Sequence, residues 1–115
     1  MNLDELTLGQ IKEINKLTTN QDNQPHPFLV GEKYFIRTVT MALTGKLTWV
    51  GQQELVLTEA AWIADTGRFH NSMKDQNNFG EVEPFVNDVI LGRGAIIDCT
   101  KIDTLPRVQK WTRLF

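Results

Sequence analysis

The stretch from Lys33 to Thr58 constrains the fold more than any other part of the chain. Lys33–Leu43 is dense in β-branched and aromatic residues, with Tyr34, Phe35, Ile36, Thr38, Val39 and Thr40 close together. Such residues fit a pleated, half-buried surface better than a helix. Thr44-Gly45 predicts a turn, followed by a second strand, Lys46–Val50, with Leu47 and Trp49 on one face. Gly51-Gln52-Gln53 predicts another turn, followed by Glu54–Thr58 with Leu55 and Leu57 on one face. Three strands joined by short turns make an antiparallel meander, expected over residues 33–63.

The flanks are read against that meander. Leu8, Ile11, Ile14 and Leu17 recur at three-residue steps, and Thr7 with Gln10 fits a capping box, so a helix is predicted over 7–18. Pro25 and Pro27 mark a loop, after which Phe28-Leu29-Val30 reads as a short extended piece packed on the core. Residues 64–80 form an insert, with a short helix over Arg68–Lys74 capped by Asp65 or Thr66 and a loop from Gln76 to Gly80. Residues 82–102 read as a last hairpin, broken near Pro84 and Asn87-Asp88, with Gly92-Arg93-Gly94 as a tight turn that uses glycine's tolerance of positive φ. Residues 103–115 form a C-terminal arm whose Val108, Trp111 and Leu114 would align on an amphipathic turn or two. The expected class is mainly β with an N-terminal helix. One domain over 1–115 forms a small, bent antiparallel barrel with a short helical insert before the last hairpin.

Charge and cysteine content narrow the function classes. The 115 residues carry 12 Lys+Arg against 14 Asp+Glu, a net charge of −2, and a single cysteine. One cysteine cannot form an intramolecular disulfide and fits a reducing compartment. No apolar run reaches the ~18 residues that span a bilayer. The opening MNLDELTLGQ has acids where an export signal needs bases, so a non-exported, cytoplasmic protein is expected. Residues 1–32 hold five acids and two bases, whereas residues 101–115 hold four bases and one acid. The two ends could therefore attract each other within or between subunits. Binding along a duplex needs a basic face, which this balance does not supply. A small anionic ligand needs only a few donors.

Two resemblances rest on particular segments. Leu43-Thr44-Gly45-Lys46-Leu47, then Glu54-Leu55-Val56-Leu57-Thr58-Glu59-Ala60, resembles the first Sm motif, and Arg93-Gly94-Ala95-Ile96-Ile97 sits where the second has its Arg-Gly and apolar strand. The resemblance implies an Sm-like barrel whose edge strands pair between subunits in rings of six or seven, a solution to the edge-strand problem. The Sm loop residues that hold RNA are absent from Gly51-Gln52-Gln53, so RNA binding is not carried over. Ala61-Trp62-Ile63-Ala64-Asp65-Thr66-Gly67-Arg68-Phe69 is similar to small uncharacterised proteins of tailed phages and prophages, which place a Trp-rich segment, a Gly and a short helix between two hairpins. By analogy of context, that resemblance implies either an oligomeric sponge for cyclic-nucleotide immune signals or a virion component.

Four residues are candidates for a ligand site. Trp62 is either a core or subunit-contact residue or a stacking platform for a base, a role aromatics fill at ~1–3 kcal/mol per base. Arg68 and Arg93 each follow a glycine and can hold phosphate bidentately; the competing reading is a surface ion pair with Asp65 or Glu59. Arg37 alternates with Phe35, Val39 and Met41, so it must reach a carboxylate, a strand end or a ligand, or else the strand is re-registered by a bulge. Trp111, Leu114 and Phe115 are the candidate oligomer contacts. His26, His70, Cys99 and Asp65 lack metal-ligand spacing, so no metal and no cofactor are expected. Cys99 reads as an inert buried thiol in an apolar strand with Asp98 facing solvent, and Glu81 and Glu83 read as solvated surface. No nucleophile–base pair is visible, so no enzyme is expected.

The leading expectation is a phage-encoded homo-oligomeric binding protein, ring-like and working in the host cytoplasm, that captures a small nucleotide and sequesters a host immune signal. A virion or assembly protein is the alternative, and an Sm-like RNA binder the second alternative.

Overall fold

The computed structural model describes residues 26–111, in which six strands form one antiparallel sheet accompanied by a single short α-helix. The strands are β1 (Lys33–Thr38), β2 (Ala42–Val50), β3 (Glu54–Asp65), β4 (Glu81–Pro84), β5 (Val89–Gly92) and β6 (Ile96–Lys101). The helix, α1 (Phe69–Lys74), lies between β3 and β4. The sheet order is β4-β3-β2-β1-β6, and β5 also pairs with β3. β3 is long enough to pair with β5 along Glu54–Leu57 and with β4 along Ala61–Asp65. Among the described residues no ladder joins β4 or β5 to β6, so the sheet is open. The helix expected over 7–18 lies outside the described residues.

The meander is present with different turns. Thr44-Gly45 lies inside β2 rather than in a turn. The β1–β2 turn falls on Val39-Thr40-Met41, where the Thr38 hydroxyl accepts from the Thr40 and Met41 amides (3.3 and 3.1 Å) and donates to the Met41 carbonyl (2.8 Å). A threonine hydroxyl can satisfy the local backbone and make a turn without glycine or proline. Gly45 has another use, because a Cβ there would sit 2.9 Å from the Leu57 Cβ. The glycine thus lets β2 lie close against β3 at a register shift.

A second shift between Leu47 and Trp49 reverses the expected facing of Trp49. Leu47 and Val50 are buried and Trp49 points outward, because an extra residue in one strand inverts the alternation beyond it. Leu55 and Leu57 share the buried face as expected. β3 then turns at Glu59, a non-glycine residue with φ of 53°, a left-handed conformation that costs an L-residue roughly 1–2 kcal/mol.

Both faces of the sheet are covered. Tyr34, Ile36, Leu43, Leu47, Val50, Leu55, Leu57 and Ala60 form one cluster, with Phe28 and Phe85 packed against it. Phe35, Ala61, Ile63, Phe79, Val82 and Ile102 form the other, over which the insert lies with Met73. Burial on both faces explains the near-continuous apolar reading of β1, where Tyr34, Phe35 and Ile36 are all buried.

The insert is more ordered than its composition suggests. Arg68 occupies the N-cap of α1 without a side-chain cap. Asp65 instead accepts from the Gly67 amide (2.8 Å), and Thr66 bonds to the Gly67 carbonyl. Gly67 holds φ of 69°, which an L-residue rarely adopts. The segment read as a loop contains a 3₁₀ turn, Gln76–Asn78, with Gln76 and Phe79 buried. Gln76 ties insert to arm: its amide nitrogen donates to the Ser72 and Met73 carbonyls (3.0 and 3.1 Å). Its oxygen accepts from the Asp103 and Thr104 amides and the Thr104 hydroxyl (3.2, 3.1 and 3.2 Å).

The Gly92-Arg93-Gly94 turn is a 3₁₀ turn over Arg93–Ala95, and neither glycine has a positive φ. The arm is extended rather than helical through Trp111 and meets β4 at a Val82–Lys110 bridge (2.7 and 2.9 Å). Val108 and Trp111 are exposed.

Candidate functional site

The β3–β4 ladder builds the site. Trp62 lies directly opposite Glu83, so the two side chains share a face of the sheet. Trp62 is also paired with Leu43 of β2, which places it on the face of the first cluster, at its margin. Its indole remains 43% exposed. Together with Thr40, Met41, Glu83, Pro84 and Phe85 it lines an open groove of about 500 Å3. The lining is mostly apolar, with Glu83 as its one charged group.

The groove's rim is fixed by the arm. The Arg107 guanidinium donates to the Ala60 carbonyl and to the Phe85 carbonyl (3.2 Å). The Gln109 amide donates to both oxygens of Glu83 (3.0 and 3.2 Å). Phe85 is also held through its own amide, which donates to the Ala60 carbonyl (2.8 Å). A second cavity, about 400 Å3, lies between insert and arm beside Gln76, Val82 and Leu105.

The four candidates do not converge on one point. Arg37 is on the opposite face from Trp62, since it pairs through Ala42 with Ile63 of the second cluster. Its guanidinium makes a bidentate pair with Asp98, with Nε–Oδ1 at 2.9 Å, and lies 5.2 Å from the centre of the Phe69 ring. That hydrogen bond, with the Arg37 charge, holds the Asp98 carboxyl below its ordinary range, and the same pairing raises Arg37. Of the resolutions offered for Arg37, the carboxylate partner is present, and a register shift follows between Arg37 and Thr38.

Arg93 sits at the other end of β3, near Gly51 and Gln53. It donates to the Gly51 carbonyl and stacks 5.2 Å from the Phe28 ring. At ~3.3 Å per residue, that places it far along the strand from Trp62. Arg68 is exposed, and among the described residues neither it nor Arg93 pairs with Asp65 or Glu59. Trp111 is 54% exposed, while Leu114 and Phe115 lie outside the described residues.

The sequence marks none of Met41, Pro84 and Phe85 as a site residue, and Glu83 reads there as solvated surface. Both Glu81 and Glu83 are half-buried instead. The pairing of Glu83 with Trp62 depends on how the insert folds back, which no local pattern records. Asp98 is exposed, as expected. Burial, with a smaller contribution from Asp98, pushes the Cys99 thiol up to about 11, the condition of an unreactive sulfur. Among the described residues no three His, Cys, Asp or Glu side chains are grouped to hold a metal ion. Nor is any described helix long and apolar enough to cross a membrane. Comparison with protein-family models, curated proteins and solved structures finds no match for this chain.

Proposed function

We propose that this chain is a non-enzymatic, homo-oligomeric binding protein that captures a small nucleotide-type ligand by stacking its base on Trp62. The observation that carries the reading is the half-exposed indole set in an apolar groove and paired with a carboxylate. A large aromatic left partly open beside Met41, Pro84 and Phe85 can gain area by covering a flat ring.

Oligomerisation rests on the sheet edges. β5 and β6 each have a side with no ladder partner among the described residues, and Ile90 and Ile97 are exposed on them. Pairing β5 of one copy with β6 of the next would cover both edges and complete an Sm-like barrel ring. In this reading the protein is phage-encoded, acts in the host cytoplasm and sequesters an immune nucleotide. Arg37 and Arg93, engaged within the subunit, are structural. Arg68, without a partner among the described residues, is the arginine left to meet a phosphate across a subunit boundary.

Native purification followed by light scattering, heat release and mass spectrometry tests this directly. A ring-sized particle that releases a nucleotide supports it. A monomer with no released nucleotide, and no heat on titration with cyclic di- or trinucleotides, overturns it. The exposed Val86, Val108 and Trp111 favour a virion or assembly protein as the second reading; its presence in purified particles would decide for that role.

A further inference from the structure

We propose that Glu83 reads the hydrogen-bonding edge of the stacked base, and that the groove prefers guanine. This rests on the stacking role of Trp62 and goes beyond it by naming the base.

Trp62 and Glu83 are directly opposed partners of the β3–β4 ladder, so their Cβ atoms stand ~4.5–5.5 Å apart on one face. A ring lying on the indole therefore presents its edge at the carboxylate. An ionised carboxylate offers about four lone-pair sites and donates nothing. Two oxygen contacts are taken by the Gln109 amide, which fixes the group from the arm side. No cation pairs with Glu83 among the described residues. A half-buried carboxylate with spare acceptors, lining an otherwise apolar groove, is completed by a neutral partner with two adjacent donors.

Guanine supplies such an edge, with its N1–H and N2 amino hydrogens side by side. Hypoxanthine keeps N1–H and lacks the amino group. Adenine turns an unprotonated ring nitrogen toward the carboxylate, setting acceptor against acceptor. A site built to accept from a ligand N–H discriminates against an analogue lacking it, since the half-buried acceptor then loses that donor.

The test uses the full-length protein and three probes, the 5′-monophosphates of guanosine, inosine and adenosine, titrated by calorimetry. The guanosine probe should bind at least tenfold tighter than either of the others. Glu83→Gln, which keeps an acceptor for Gln109 and leaves the apolar lining intact, should reduce that preference to within about threefold. Trp62→Ala should weaken all three probes together. Equal binding of the three probes, unaltered by Glu83→Gln but lost in Trp62→Ala, would overturn the Glu83 assignment and leave the stacking reading in place. Binding of none of the three, with both variants folded by circular dichroism, would remove both.

Discussion

Replacing Gln76 by alanine should loosen the arm before it loosens the sheet. The side chain is 3% exposed and makes five hydrogen bonds that hold α1, its own 3₁₀ turn and the Asp103-Thr104 segment together. A hydrogen bond contributes a net ~0.5–1.5 kcal/mol, and a buried group left without its partner costs ~1–3 kcal/mol. The Asp103 and Thr104 donors lie at an exposed position and can turn to water. The Ser72 carbonyl is the better-buried acceptor, since Ser72 has no exposed surface. Counting one buried carbonyl in full and the remaining four contacts at the low end gives a loss of about 3–5 kcal/mol. Urea unfolding of the variant and the parent measures this directly. Amide hydrogen exchange then locates it: Val82 and Lys110, which bond to each other, should lose protection earlier than Leu47 and Leu57 of the central strands. Gln76→Glu at neutral pH should cost at least as much, because it sets a carboxylate against two carbonyls. A midpoint unchanged within error for Gln76→Ala, or protection lost equally from arm and sheet, would refute the idea that this amide is the fastening.

Three further outcomes follow from particular groups. The Thr44 hydroxyl is fully buried and has no hydrogen-bond partner, so Thr44→Val should stabilise by about 1 kcal/mol, seen as a raised urea midpoint at unchanged slope; a lowered midpoint would contradict it. Asp98 titrates below its ordinary range because Arg37 bonds it, so the pair's contribution is complete above an unfolded pKa of about 3.9 and is lost as pH falls through the lower folded value. Asp98→Asn should therefore flatten stability against pH in that acid window alone, measured by acid unfolding of both forms. With the Cys99 thiol pushed up to about 11, alkylation at pH 8 should run at least about tenfold slower in the folded protein than in urea; equal rates would show an accessible thiolate.

The residues differ in how openly the sequence displayed their structural role. Leu55 and Leu57 alternate without interruption, and their shared buried face was readable from period two alone. Arg37 was readable as a conflict: a charge in an apolar register, which its pairing with a carboxylate resolves. Trp49 was not readable, because one inserted residue between it and Leu47 inverts the face and leaves no mark in composition. Thr44-Gly45 misled for a chemical reason. Its glycine serves close approach to Leu57, while the nearby turn is closed by a threonine hydroxyl. Gln76 and Glu83 escaped for a third reason, since their partners come from segments more than 25 residues on. A polar residue in a polar run is indistinguishable from surface until that return of the chain is known. Trp62 was thus visible as a candidate residue, whereas the groove around it was a product of topology.

The two ladders on β1 have very different reach along the chain. Arg37 pairs with Ala42 across a tight turn on one side, and on the other with Asp98, 61 residues away. Closing the longer loop costs about 2 kcal/mol more chain entropy than closing the shorter one, from its logarithmic dependence on length. The β1–β2–β3 meander can therefore gather locally, while β6 must wait for the insert and β5 to be in place. Until it arrives, β1 stands as a bare edge carrying Tyr34, Phe35 and Ile36. Folding speed, and the exposure to mispairing with another chain during that interval, should be governed by the return of this one strand.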